Sequence, residues 1–65
     1  MVRLPIFKPG ELVRIAEKKG FVAIRQSGSH RIFKHSDGRW TTIPIHVKTI
    51  GRGLTHKIIK DLGGL

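Results

Sequence analysis

Phe21-Val22-Ala23-Ile24-Arg25-Gln26-Ser27-Gly28-Ser29-His30-Arg31-Ile32-Phe33-Lys34-His35-Ser36-Asp37-Gly38-Arg39-Trp40-Thr41-Thr42-Ile43-Pro44 is the stretch that decides the fold. In it, three runs of strand formers are separated by two clusters of turn formers. Residues 21–26 are rich in β-branched and aromatic side chains, which suit a pleated surface. Ser27-Gly28-Ser29 is turn chemistry. Residues 30–35 read as a second strand, and Ser36-Asp37-Gly38 carries the Asp-Gly pair of tight hairpins. Residues 39–43 read as a third strand. Pro44 ends it, because proline has no amide to give a central ladder. Two short turns in succession predict an antiparallel meander. Ile32 and Phe33 are adjacent and both apolar, so the second strand is expected to be partly covered on both sides.

Upstream, Lys8-Pro9-Gly10-Glu11 opens a helix over residues 10–19. Proline is tolerated in a first turn, and an early glutamate suits the positive end of the helix dipole. Leu12, Val13, Ile15 and Ala16 give this helix an apolar side, and Gly20 is its stop signal. Downstream, residues 45–52 read as a loop. A second helix follows over residues 53–62, with Leu54, Ile58 and Leu62 at spacing four and Ile59 beside them. The order is α-β-β-β-α, an α+β class in a single domain spanning residues 1–65. A three-stranded antiparallel sheet with both helices on one face buries these stripes most simply. The other face is left to solvent or a partner.

A 65-residue chain buries only about 60% of the surface it exposes when unfolded, so a site is expected on a face or in a shallow groove. Thirteen Lys and Arg against four Asp and Glu leave a formal charge of +9. Such a domain attracts polyanions, nucleic acid first and an anionic membrane second. The absence of cysteine excludes disulfides and thiolate zinc, and fits a reducing cytoplasm. No apolar run approaches the ~20 residues of a membrane span. Residues 1–7 are too short and interrupted for a secretory signal. His30, His35 and His46 lack compact ligand spacing, so neither metal nor cofactor is expected.

Gly28-Ser29-His30 is the candidate for chemistry. Histidine titrates nearest neutral pH and can both take and give a proton there. Metal-free RNA cleavage needs a base for the 2′-hydroxyl and an acid for the leaving 5′-oxygen. One positioned group contributes about 10²- to 10⁴-fold. Gly28 allows a positive φ or a close backbone approach. Ser29 can cap the turn or donate to phosphate. Arg25, Arg31 and Lys34 lie near enough in the hairpin to hold phosphate or stabilise the transition state. His46 is placed to supply the complementary acid or a phosphate contact. The plainer readings are a strand-edge His30 and a solvated His46. His35 and His56 read as surface residues. Phe7, Phe21, Phe33 and Trp40 are the only Phe, Trp or Tyr residues. Trp40 and Phe33 are of the type that stacks on bases, but core packing is their expected role.

From Arg3-Leu4-Pro5 through Gly20-Phe21, Arg25, Gly28-Ser29-His30, Phe33, Pro44 and His46, to Gly53 and Ile58-Ile59-Lys60, the chain resembles the HicA toxins. These are small bacterial and archaeal messenger-RNA interferases. The element order also resembles a double-stranded-RNA-binding domain. The resemblance implies a type II toxin, a metal-independent endoribonuclease that cleaves mRNA with His30 as the catalytic residue. It also implies a HicB antitoxin as partner, and the +9 charge suits an acidic or mixed partner surface. The alternative is a non-catalytic double-stranded-RNA-binding-like module. The family often has Gly-Thr-Leu where this chain has Gly53-Leu54-Thr55. That exchange is expected to affect the start of the last helix more than the chemistry.

Overall fold

The computed structural model describes residues 6–64. The Arg3-Leu4-Pro5 part of the resemblance lies outside them. The elements are α1 (Pro9–Lys18), β1 (Val22–Ser27), β2 (His30–Lys34), β3 (Trp40–Pro44) and α2 (Arg52–Asp61). The strands form one antiparallel sheet in the order β1-β2-β3. The chain is therefore α+β, in the order α-β-β-β-α.

α1 starts with Pro9 in its first turn and the Glu11 carboxylate accepting the Lys8 amide at 2.7 Å. That bond satisfies an amide just outside the first helical turn and places a negative charge at the positive end of the dipole. Leu12 and Ala16 are fully buried, with Val13 and Ile15 packed at their edge. α2 follows Gly51 and buries Thr55, Ile58 and Ile59, with Leu62 just beyond it. The Thr55 hydroxyl donates to the Ile50 carbonyl at 3.1 Å, inside the core. Leu54, expected in the apolar stripe, is instead 43% exposed. The next residue, Thr55, takes the buried position instead, where its hydroxyl finds an acceptor.

The single core gathers Leu12, Ala16, Phe21, Phe33, Ile43, Ile50, Ile58, Ile59 and Leu62. Both helices therefore pack on the face that presents Phe33, Thr41 and Ile43. Thr41 is buried and donates to the Asp61 carboxylate at 3.0 Å, joining β3 to α2. Cover is uneven: it reaches β3 and β2, while every residue of β1 is exposed. Val22 and Ile24 of β1 are 63% and 57% exposed.

The two hairpins differ. Ser27 pairs with His30, so Gly28 and Ser29 form a two-residue loop. Gly28 has a φ of +58° and Ser29 has no positive φ, the pattern of a turn with glycine at its first central position. The second connection is longer than the Asp-Gly pair predicts. Lys34 pairs with Trp40, the His35 carbonyl accepts the Gly38 amide at 3.0 Å, and Gly38 has a φ of +99°. Asp37 keeps a negative φ, so only the glycine takes the left-handed conformation. The turn is built around the Asp37 carboxylate, which accepts the Arg39 amide at 2.9 Å and Arg39 Nε at 2.7 Å.

Candidate nucleic-acid interface

Paired residues on adjacent strands share a face, and side chains alternate along each strand. Phe33↔Thr41 and Arg31↔Ile43 lie on the helix-covered face, so Lys34↔Trp40, Ile32↔Thr42 and His30↔Pro44 lie on the open one, exposed at Lys34, Trp40 and His30, half-buried at Ile32 and Thr42 and buried at Pro44. β1 adds Val22 opposite Lys34, Arg25 opposite Ile32 and Ser27 opposite His30.

Arg25 reaches this face because of an irregularity. The register slips between Ala23 and Arg25, leaving Ile24 as an extra residue. Strict alternation from Ala23 would turn Arg25 toward the helix side. A bulge of this kind re-aims every side chain beyond it. Here it brings Arg25 and Ser27 onto the face of His30, and sends Gln26 to the other side. There Gln26 Oε1 accepts Arg31 Nη2 at 3.4 Å. Of the predicted cations, Arg25 and Lys34 join His30, while Arg31 lies on the helix side.

His30 is exposed at the start of β2. The turn before it is held from two directions. Gln26 Nε2 donates to the Gly28 carbonyl at 3.3 Å, and the Ile45 amide donates to the Ser29 carbonyl at 2.8 Å. The second bond lays the chain after Pro44 beside the turn, and exposed His46 follows Ile45. Thus Ser29, His30 and the Pro44–His46 segment meet at one end of the sheet.

No acidic residue lies on the open face. Glu11 and Glu17 belong to α1, Asp61 to α2, and Asp37 to the second turn. Asp37 is neutralised locally. The Arg39 amide above all, then the Arg39 guanidinium and His35, hold its carboxyl below the ordinary aspartate range. The uncovered sheet surface therefore carries positive charge only.

His35 and Trp40 exchange their expected roles. His35 is half-buried, its ring edge-on to Phe21 at 5.2 Å and close to Gly20 behind α1. Its Nδ1 lies 3.1 Å from both the Asp37 amide and the Asp37 carboxylate. The neutral ring accepts the amide proton, and only the protonated ring pairs with the carboxylate. Arg39 stacks over Phe21 at 5.3 Å. The two side chains form a lid on the core that spacing along the sequence does not reveal. Trp40, expected inside, is 61% exposed on the open face. Phe33 is fully buried, as packing predicts. Among the described residues, no three His, Asp or Glu side chains converge as metal ligands, and no pocket is enclosed. No helix there is long and apolar enough to cross a membrane.

A family model described as the HicA toxin of bacterial toxin–antitoxin systems matches residues 10–63. The chain belongs to the HicA toxin family. The match runs from the first turn of α1 to the end of α2, so it takes in the whole sheet and every residue of the open face. HicA toxins are one half of a toxin–antitoxin pair, which gives the chain an antitoxin partner in general terms. No curated protein matches the chain.

Proposed function

We propose that this HicA-family chain is an mRNA-cleaving endoribonuclease with His30 as its general acid/base and no metal requirement. The observation that carries the reading is the position of His30: exposed, beside a pinned two-residue turn, on a sheet face free of carboxylates. The imidazole takes the 2′-hydroxyl proton as the oxygen attacks phosphorus, and the leaving 5′-oxygen receives a proton in turn. Arg25 and Lys34 hold the RNA backbone and oppose the charge that builds on the phosphorane. Gly28 and Ser29 set the geometry of His30. His46, exposed at the same end of the sheet, supplies the complementary acid or a phosphate contact. A HicB-type antitoxin silences the toxin by covering this face in the cytoplasm.

The test is cleavage of single-stranded RNA by the full chain in EDTA, with wild type and His30→Ala in parallel. Wild type is expected to cleave and His30→Ala to lose about 10²- to 10⁴-fold while keeping its thermal transition. Intact RNA with wild type sinks the enzyme reading and leaves a binding module. Equal cleavage by both removes His30 from the mechanism.

A further inference from the structure

We propose that Trp40 is a base-stacking platform, a substrate-positioning part of the RNA site separate from the chemistry at His30. The proposal rests on the ribonuclease reading for its substrate and on the sheet for its geometry. Trp40 is the largest side chain on the open face and is 61% exposed. It makes no aromatic or hydrogen-bonded contact among the described residues. Lys34 is its paired neighbour on β2, with Val22 next across the sheet on β1. An indole beside an ammonium, on a surface without carboxylates, suits an unpaired base followed by its phosphate. A duplex offers no free base face to such a ring, so single-stranded RNA is the favoured occupant. Trp40 and Pro44, the partner of His30, are four residues apart on β3, about 13 Å along the strand. The stacked base therefore lies along the strand from the scissile bond, and Trp40 positions the RNA for cutting without touching the reacting atoms.

Trp40 is the sole tryptophan and the chain has no tyrosine, so its fluorescence reports this one position. The experiment titrates the full chain with a 2′-O-methyl single-stranded RNA oligonucleotide, which lacks the attacking hydroxyl. Binding is followed independently by the anisotropy of an end label. Quenching that saturates with the anisotropy is expected. Inorganic polyphosphate, which has charge but no bases, is expected to bind without quenching. Trp40→Ala is expected to weaken RNA binding by about 5- to 150-fold, the range of one base–aromatic stack, with Trp40→Phe recovering much of it. RNA that binds with unchanged emission, or equal affinity for wild type and Trp40→Ala, overturns the proposal. So does quenching by the antitoxin but not by RNA, which assigns the face to protein, or equal quenching by duplex RNA. Quenching with no cleavage of unmodified RNA keeps the stacking and removes the nuclease. Cleavage whose efficiency and cut positions are unchanged in Trp40→Ala keeps the nuclease and removes the stacking.

Discussion

Gly28 turns β1 into β2 at a φ of +58°, and no atom lies within 4 Å of where a Cβ would sit. The cost of Gly28→Ala is therefore conformational and not steric, about 1–2 kcal/mol by urea denaturation. Because His30 follows two residues later, cleavage is expected to fall further than the lost stability alone explains. Asp37 offers a second check at this scale. Its carboxyl is held low in the folded chain, so its stabilisation is present above the ordinary carboxylate pKa and is lost as pH falls through the folded value. An NMR titration is expected to place its midpoint below that of a free aspartate. In Arg39→Ala the midpoint moves only partway back, since the backbone donor at residue 39 remains.

Among the elements, α2 shows what a periodic pattern conveys. The spacing of Leu54, Ile58 and Leu62 locates the helix, and two of the three are buried. The third loses its place to Thr55, whose hydroxyl reaches the Ile50 carbonyl. Hydropathy alone ranks leucine above threonine, and only the acceptor left by the preceding loop reverses the order. Leu54→Ala is accordingly expected to change stability by less than about 0.5 kcal/mol. Thr55→Ala is expected to cost about 1–3 kcal/mol, because it leaves a buried carbonyl without its partner. Thermal melts of the two variants separate these outcomes. The bulge at Ile24 was equally hidden. Nothing in Val22-Ala23-Ile24-Arg25 distinguishes a regular strand from one with an extra residue, yet that residue decides which face Arg25 serves. Turn chemistry was more legible: both loops fall at their glycines, although the second is longer than Asp-Gly suggests.

For the whole molecule, one buried layer supports everything. Phe33 is fully enclosed in it, and Phe33→Ala is expected to cost about 3–5 kcal/mol. A 65-residue domain holds roughly 3–10 kcal/mol in total, so this variant is expected to lose its cooperative melting transition in calorimetry. The +9 charge pointed to a polyanion, but charge along a sequence has no direction. The sheet supplies it: Arg25 faces the same way as His30 and Arg31 does not. In salt titrations of single-stranded RNA binding, Arg25→Ala is expected to reduce the slope of log K against log salt by about 0.7, and Arg31→Ala to leave it unchanged.

The uneven cover of the sheet also has a kinetic side. β3 packs against both helices and β2 lies between its two neighbours with Phe33 in the core, whereas β1 is held by its ladder to β2 and little else. Amides of β1 should then exchange with solvent through a shallow local opening, while those joining β2 to β3 wait for global unfolding. In that opened state His30 keeps its place opposite Pro44, but Arg25 swings free. One of the two cations that grip the RNA thus rides on the least stable segment of the sheet, and bound substrate is expected to slow exchange there first.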